Sequence, residues 1–507
     1  MYTPPEVVDF ILASADQVLR GGFGRSLSDE GVHVLDPCTG TGVFPARLLQ
    51  SSLIRAGDLR RKYKRELHAN EIVLLAYYIA AILVEESFHG RSGGGYDSFG
   101  GIVLTDTFNL YMDRKGFPRG WLPGNSERAE RQQQRPIQVI VGNPPWSTGQ
   151  RSSADNNPNV DCPELERRVA ETYAAHSTAT LKNSLYDSYK MAIRWASDRI
   201  GEQGVVAFVT NGSWIGGNVD SCIRACLAEE FSAIWVLNLR GNQRTQGERS
   251  RKEGGKVFGQ ASRAPVAITI LARNPDSKHA GRRILYRDVG DYLKREEKLA
   301  ILREAGSIAG FDHWRVITPD RHHDWIGQRD PAFQGLYPLG CKAAKAGKSD
   351  ESIFRPFSNG YKTGRDAYVY NFSLGVCKEN ARRMVGQYRK VLETREESSD
   401  CTLTEAARLN SSHLHWDKKL LNKSRRGISA EFSESYLRSV AYRPFVEQHL
   451  YADEVFSQRP GRTRELFPMT SSHIRDILTN ERTSQSALRV SARPRRSPLS
   501  WSIRCRT

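Results

Sequence analysis

The feature that most constrains the fold is an alternation of short apolar runs and helical patterns over residues 1–275. Segments rich in apolar and β-branched residues predict seven strands, at 31–36, 66–71, 101–106, 136–143, 204–211, 231–239 and 264–273. Apolar residues at helical spacing predict helices at 7–19, 41–54, 72–86 and 184–200. This alternation predicts an α/β domain, and nearly continuous apolar strands predict a sheet that is covered on both faces.

Charge and cysteine content limit the class of protein. The chain has 507 residues and a formal net charge of +17, from 74 Lys+Arg against 57 Asp+Glu. Such an excess favours a polyanionic partner, although a generally basic protein explains it equally well. Eight cysteines without a CxxC spacing exclude a zinc-finger pattern and predict reduced thiols. We find neither a signal peptide nor an apolar run of about 18 residues, and therefore expect a cytoplasmic protein without a membrane span.

A glycine-containing turn, DPCTGTGVF (36–44), lies between the first predicted strand and the next helix. Gly40 and Gly42 allow a tight turn and the close approach of a ligand, which a Cβ atom would obstruct. The following helix adds free N–H groups and the positive end of its dipole. A glycine pair alone can be a simple turn, but Asp36 before it and Phe44 after it favour a ligand-binding loop.

Two acidic residues follow the second and third predicted strands. Glu71 comes 35 residues after Asp36 and is placed to accept hydrogen bonds from ribose hydroxyl groups. Its spacing exceeds the usual value of about 20, and the basic insertion at 60–65 explains the difference. Asp106 is placed to accept a hydrogen bond from an adenine amino group. A simpler interpretation exists for each, a helix-start acid for Glu71 and a turn-forming aspartate for Asp106.

The tetrapeptide Asn143-Pro144-Pro145-Trp146 follows the fourth predicted strand. Two prolines fix the backbone and leave their carbonyl oxygens free to accept hydrogen bonds. The Asn143 side chain adds another carbonyl oxygen, and Trp146 offers a flat apolar face. Acceptors beside a stacking surface suit a planar ring that carries an exocyclic amino group. A proline-rich turn is the simpler explanation of the tetrapeptide alone, but the preceding motifs in this order argue against it.

Four segments together resemble the successive motifs of amino-methylating, adenine-specific DNA methyltransferases of the gamma arrangement: YTPPEVVDFI (2–11), DPCTGTGVF (36–44), ANEIVLLAYYIA (69–80) and GNPPW (142–146). Segments 317–330, 357–372 and 441–453 resemble the methyltransferase and specificity portion of type ISP restriction–modification enzymes. The resemblance covers about residues 1–470. It implies a Rossmann-like methyltransferase domain with a mixed seven-stranded sheet at 1–275, and an α+β target-recognition domain at 276–480.

The resemblance implies a role for each matching residue. Binding of the methyl donor S-adenosyl-L-methionine is implied for Tyr2, Thr3, Pro4, Asp36, Thr39, Gly40, Gly42, Glu71, Asp106 and Asn143. Methyl transfer to the exocyclic N6 of a flipped adenine is implied for Asn143, Pro144, Pro145 and Trp146. Trp146 stands where Tyr or Phe is frequent, and its larger aromatic face suits the same role. No metal is expected.

The region after residue 275 is expected to bind double-stranded DNA, with basic side chains on phosphates and polar side chains on base edges. Lys362, Arg365 and Arg443 are the predicted contacts, although a glycine-containing surface hairpin explains segment 360–366 equally well. The final segment, 481–507, contains seven arginines and many serines, which predicts a basic disordered tail.

Two other functions fit the sequence. One is a protein glutamine methyltransferase, which also uses Asn-Pro-Pro followed by an aromatic residue, but the long basic second region argues against it. The other is a catalytically silent DNA-recognition subunit, against which the intact tetrapeptide and glycine loop argue. Type ISP enzymes carry a nuclease and a helicase-like translocase ahead of this region, and no Walker phosphate loop occurs here. We therefore expect the chain to methylate DNA within a restriction–modification system without translocating on DNA or cleaving it. Three forms fit this expectation: a stand-alone methylase, a split subunit whose nuclease and helicase parts are supplied separately, or a truncated product.

Overall fold

The computed structural model forms two compact units. Unit 1 comprises Met1–Arg151 and Asn157–Arg329, and unit 2 comprises Ser152–Asn156 and Asp330–Thr507. The structure describes residues 3–110, 124–146, 162–177, 179, 182–259, 262–276, 283–330, 332, 335–354, 362–397, 414–443, 446–458, 489–492 and 501–504.

Unit 1 is built on a nine-stranded sheet. Its strands are β1 His33–Asp36, β2 Leu67–Glu71, β3 Ile102–Leu104, β4 Ile137–Gly142, β5 Gly204–Asn211, β6 Ala233–Arg240, β7 Val266–Arg273, β8 Arg283–Asp288 and β9 Arg315–Ile317. Their order is β3-β2-β1-β4-β5-β7-β6-β8-β9. The first five strands in this order are parallel, and β7 runs antiparallel to β5 and β6. β8 is parallel to β6, and β9 is antiparallel to β8.

The predicted mixed α/β fold is confirmed, with a correction to its extent. All seven predicted strands are present as β1–β7, but β8 and β9 add two more beyond residue 275. Each contributes an isoleucine to the core, Ile284 and Ile317, while their other residues are largely polar or exposed. Strands at this side of the sheet have weak apolar patterns, and the sheet therefore continues past the predicted boundary at 275. Unit 1 continues to Arg329.

Helices cover both faces of this sheet. They are α1 Pro5–Phe23, α2 Val43–Gln50, α3 Leu59–Arg61, α4 Leu74–Ser92, α5 Thr107–Leu110, α6 Asn125–Gln133, α7 Pro163–Val169, α8 Ser188–Arg199, α9 Ser221–Glu230, α10 Gly247–Glu253 and α11 Arg295–Ala305. Alternate strand residues enter two separate apolar clusters. Val34 and Val139 pack in the cluster that includes residues of α1, α2 and α4, whereas Leu35 and Ile140 pack with α8 and α9. Burial on both faces explains the nearly continuous apolar strands.

The register of the parallel strands brings three sequence motifs to one edge. Asp36 pairs with Ala69, Glu71 pairs with Leu104, and Leu35 pairs with Ile140. The carboxyl ends of β1, β2, β3 and β4 therefore lie side by side. In open α/β sheets, ligands bind at this edge.

A buried histidine pair lies within β1 and β2 and predicts acid sensitivity. The rings of His33 and His68 stack, and His33 Nδ1 lies 3.0 Å from His68 Nε2. Burial, reinforced by the charge of a protonated His33, lowers the pKa of His68 to about 3 from an ordinary value near 6.5. Between these values the unfolded chain binds a proton that the folded chain does not, so folding stability should fall as pH decreases, by at most about 1.4 kcal/mol per pH unit for this group.

Chemical denaturation at pH 7, 6 and 5 tests this prediction. His68→Gln should flatten the decrease in the free energy of unfolding below pH 6.5. The exposed His323→Gln serves as the control and should leave the decrease unchanged. An equally steep decrease in His68→Gln would assign the acid sensitivity to other groups.

Unit 2 is a smaller α+β structure with its own apolar core. Its helices are α12 Lys342–Lys345, α13 Asp366–Val369, α14 Leu374–Glu397 and α15 Lys418–Arg425. Strands β10 Tyr370–Asn371, β11 Leu437–Arg443 and β12 Val446–Tyr451 form an antiparallel sheet in the order β10-β12-β11. Met384 and Tyr388 of α14 are buried with Leu450 of β12. None of the helices in the described residues is both long and apolar enough to cross a membrane.

The segment predicted to be a disordered tail contains regular structure. β13 Arg489–Ala492 pairs antiparallel with β14 Trp501–Arg504, with Val490 opposite Ile503. Three of the large apolar residues of this segment, Val490, Trp501 and Ile503, thus lie in strands. The prediction that all of 481–507 is disordered is therefore wrong for residues 489–492 and 501–504.

Candidate active site

The glycine-containing loop after β1 is tied to the end of β2. Thr39 N donates to the Asn70 carbonyl at 2.9 Å, and Thr39 Oγ1 donates to the Asp36 carbonyl at 3.0 Å. Gly40 N donates to Glu71 Oε2 at 2.7 Å, while Glu71 Oε1 accepts from Val73 N at 2.8 Å. The Glu71 carboxylate therefore joins the loop to the start of α4, which fixes the relative position of the two sequence motifs.

Asp36, the last residue of β1, carries a buried carboxyl group. Its Oδ1 accepts a hydrogen bond from Cys38 N at 3.2 Å, and its buried Oδ2 has no hydrogen-bond partner. Burial, with a further contribution from the negative charge of Glu71, raises the pKa of Asp36 to about 8. Gly142 leaves room for this side chain, because a Cβ there would lie 2.8 Å from Asp36 Oδ1.

Asp106 is held beside the same loop, although it lies two residues beyond the end of β3 at Leu104. Its Oδ1 accepts from Phe108 N at 3.0 Å. The adjacent Thr107 hydroxyl donates to the Pro37 carbonyl, which links this turn to the loop after β1. The three predicted acids, Asp36, Glu71 and Asp106, are thus attached to one connected group of loops.

The tetrapeptide 143–146 extends from the end of β4. Asn143 Nδ2 donates to Thr3 Oγ1 at 3.0 Å, so the segment before α1 orients the amide. Asn143 Oδ1 is buried without a hydrogen-bond partner. Pro144 is buried, Pro145 is exposed and Trp146 is partly buried. An oriented amide with a free oxygen beside an aromatic ring is able to accept a hydrogen bond from a planar amino-substituted ring.

Phe258 is a site residue that the sequence interpretation missed. Its ring centroid lies 5.1 Å from that of Trp146, with the ring planes at 81°. This edge-to-face contact places a second aromatic side chain beside the tetrapeptide. Phe258 is separated from Trp146 by more than a hundred residues and carries no motif of its own, so only the fold reveals the contact.

The structure describes most of the predicted cofactor residues. Thr3 and Pro4 are buried at the start of α1, where Pro4 O accepts from Val7 N at 3.0 Å. Tyr2 lies outside the described residues. The observed group of buried acids and unpartnered acceptor atoms fits S-adenosyl-L-methionine, which carries a sulfonium and an ammonium charge together with hydroxyl and amino donors. Asp36 Oδ2 in particular is a buried oxygen without a hydrogen-bond partner among the described residues.

Gly42 shows why the loop requires glycine, and Gly42→Ala should disrupt it. The residue has φ of 87°, and a Cβ there would lie 2.9 Å from Ala80 Cα in α4. We expect a loss of stability of about 1–3 kcal/mol, together with weaker cofactor binding because the loop must move. Thermal unfolding and calorimetric titration with S-adenosyl-L-methionine measure the two effects. Gly57→Ala is the matched control, since its φ is not positive and no atom lies within 4 Å of the added Cβ. Equal effects in both variants would show that the loss does not come from the positive φ and close contact at Gly42.

The three residues predicted to contact DNA differ in their surroundings and in how far the structure describes them. Lys362 is exposed, so its side chain is accessible to a ligand. Arg365 is 3% exposed, donates to the carbonyls of His415 and Phe456 and pairs with Asp417 at 3.2 Å. The prediction for Arg365 is therefore wrong, because its guanidinium group is enclosed and holds unit 2 together. Arg443 ends β11, and its side chain lies outside the described part of the structure.

Comparisons with known proteins relate this chain to type ISP restriction–modification enzymes. Residues 352–492 match the family model of the type ISP C-terminal specificity domain. No curated protein matches the sequence. A nuclease-deletion mutant of the type ISP restriction–modification enzyme LlaGI, solved with a DNA substrate mimic, is 40% identical over 92% of this chain and 38% of its own, with a TM-score of 0.82.

Two further solved structures are similarly close. The ATP-dependent type ISP enzyme LlaBIII bound to DNA is 36% identical over 92% of this chain and 30% of its own, with a TM-score of 0.82. DrdV in a complex with DNA is 31% identical over 93% of this chain and 45% of its own, with a TM-score of 0.83. The chain thus spans less than half the length of these relatives. The resemblance inferred from the sequence, to the methyltransferase and target-recognition portion of type ISP restriction–modification enzymes, is confirmed.

Proposed function

We propose that this chain is a site-specific DNA methyltransferase that modifies the exocyclic N6 of adenine within a restriction–modification system. The observation that carries this proposal is Asn143, whose amide nitrogen is held by Thr3 while its buried Oδ1 has no partner. An acceptor oriented in this way at the carboxyl edge of the sheet suits an amino group of a bound base. The similarity to type ISP enzymes supports the same reaction class.

Asn143 and Pro144 would act on the amino group of the target. The N6 lone pair of adenine is conjugated with the ring, so this nitrogen is a poor nucleophile. Hydrogen bonds from its two N–H groups to Asn143 Oδ1 and the Pro144 carbonyl would favour a pyramidal nitrogen with its lone pair directed outward. S-adenosyl-L-methionine, when bound, supplies a methyl group already activated by the sulfonium, so accurate placement of the amino group provides most of the remaining catalysis.

The target adenine must leave the duplex to reach this edge, at a cost of a few kcal/mol. Trp146 would offset part of that cost by stacking on the flipped ring. Phe258 contacts Trp146 edge to face and would hold the indole plane for stacking. In this proposal the aromatic pair binds the base, Asn143 orients its amino group, and Asp36, Glu71 and Asp106 surround the cofactor.

Unit 2 would supply the choice of DNA sequence. Its match to a specificity-domain family supports this role, and the exposed Lys362 would contact a phosphate. Residues near the enclosed Arg365 would depend on it for their position, because it links the segments around Phe456, His415 and Asp417.

One experiment tests the proposed function directly. Unmethylated genomic DNA is incubated with the purified chain and S-adenosyl-L-methionine, and modified bases are mapped by long-read sequencing. We expect N6-methyladenine at one short sequence. Methyl transfer to glutamine peptides but not to DNA would indicate a protein methyltransferase instead. DNA binding without methyl transfer to either substrate would indicate a recognition subunit.

A further inference from the structure

The first half of α4, with the two residues before it, presents an exposed apolar face. Its seven large apolar side chains are 43–71% exposed, and we call them the α4 face: Ile72, Val73, Leu74, Leu75, Tyr78, Ile79 and Ile82. The opposite side of the helix is buried through Tyr77, Ala80 and Val84. The helix is therefore apolar on both sides over its first turns, whereas a helix at a free protein surface is normally apolar on one side only.

The size of the α4 face requires an explanation. Scattered exposed apolar residues are ordinary, but contiguous patches beyond a few hundred Å² are rare on soluble monomers and mark interaction sites. Removal of such side chains from water is favourable, so a partner that covers several of them would gain binding free energy.

Charge excludes the polyanionic partners that the rest of the chain favours. The segment from residue 66 to residue 90 has no lysine or arginine, although the whole chain carries a net charge of +17. The nearest charges on α4 after this face are the acids Glu85 and Glu86. A phosphate backbone or an anionic membrane surface finds no cation within this segment, and the adjacent acids disfavour both. The composition of the face favours an apolar protein surface as its occupant.

The comparisons point to one candidate for this protein surface. LlaGI and LlaBIII share 40% and 36% identity with this chain, but the match covers only 38% and 30% of their own lengths. The greater part of each relative consequently has to pack against, or be connected to, the portion that this chain represents. A contiguous apolar face is the kind of surface on which a large additional domain packs in a stable enzyme.

We propose that the α4 face is the docking surface for the additional domains that type ISP enzymes carry outside the matched region. This interaction does not depend on methyl transfer. The face begins beside the glycine-containing loop after β1, since Ile72 follows Glu71 directly and Glu71 Oε2 accepts a hydrogen bond from Gly40 N in that loop. The docked domain would lie next to the methyltransferase site without occupying the site itself.

A binding measurement with the full chain tests the proposal. The probe is the part of LlaGI outside its match to this chain, produced as a separate polypeptide and mixed with the chain in sedimentation-velocity runs. We expect a complex with the wild-type chain and at least tenfold weaker binding by Leu75→Gln/Ile79→Gln/Ile82→Gln. Thermal unfolding of this variant should be unchanged, because the three side chains are exposed. Glu86→Gln, an exposed position on the same helix, is the control and should bind normally.

Three results would overturn the proposal. These are no complex with the wild-type chain, a complex that the triple variant forms equally well, and a wild-type dimer that the triple variant converts to a monomer. The last result would assign the α4 face to a second copy of this chain. DNA methylation is not read out, so failure here is distinguishable from failure of the proposed enzyme function.

Discussion

Asn143→Ala is expected to abolish detectable DNA methylation while it leaves the affinity for S-adenosyl-L-methionine within a few-fold of wild type. The variant removes the unpartnered Oδ1, the acceptor proposed to orient the reacting amino group. Loss of one preorganised polar group at a reacting centre lowers kcat by about 10²–10³-fold, so we expect no product above the no-enzyme blank over the assay period. Transfer of radiolabelled methyl groups to DNA measures the rate, and calorimetric titration measures cofactor affinity.

A second variant tests whether the orientation of the Asn143 side chain contributes to turnover. Thr3→Val preserves shape but removes the hydroxyl that accepts from Asn143 Nδ2 at 3.0 Å. The amide would then rotate more freely, so kcat should fall by less than in Asn143→Ala, and KM for DNA should change little. Normal turnover in Asn143→Ala would contradict the proposed role. A large loss of cofactor affinity in that variant would instead show that Asn143 acts mainly in cofactor binding, the other role that the family resemblance implies for it.

The central sheet could be predicted from sequence because buried parallel strands leave a strong local signal. Segments such as 136–143 and 204–211 are nearly continuous runs of apolar residues, and both became fully paired strands in the middle of the sheet. β8 and β9 are the last two strands at one side of the sheet, and fewer of their side chains are buried. Their sequences therefore resemble loops, and the extent of unit 1 became evident only from strand pairing.

The candidate site also has parts that the sequence predicts and parts that it does not. The loop at 36–44, the acid Glu71 and the tetrapeptide at 143–146 depend on consecutive residues after strands, and parallel pairing brings such strand ends together. Phe258 could not be predicted, because its contact with Trp146 joins segments that are distant in sequence. The prediction for Arg365 failed because local composition indicates a basic surface around an arginine near glycines. Its three partners lie in two distant segments, at 415–417 and at 456, and enclose the side chain.

Binding of non-target duplex DNA is expected to weaken by about 10³-fold between 50 and 200 mM salt, if about six phosphates are contacted. The physical reason is that each basic side chain on a phosphate releases condensed counterions, a gain that shrinks as the salt concentration rises. Fluorescence anisotropy over this range gives the slope of log affinity against log salt. Lys362→Ala should reduce that slope by about one, because an exposed lysine at this position would contribute one phosphate contact.

Arg283→Ala is the matched control for charge. Arg283 is also exposed, but it begins β8, which runs parallel to β6 and starts at the edge of the sheet opposite to the candidate site. Removing this charge changes the net charge by the same amount as Lys362→Ala, yet it should leave the salt slope unaltered. Equal slopes in the two variants would mean that the net charge, and not a phosphate contact at Lys362, attracts the DNA. A slope near zero for the wild-type chain would show that its excess of basic residues does not meet a phosphate backbone at all, and unit 2 could then not act as a DNA specificity domain by this mode of binding.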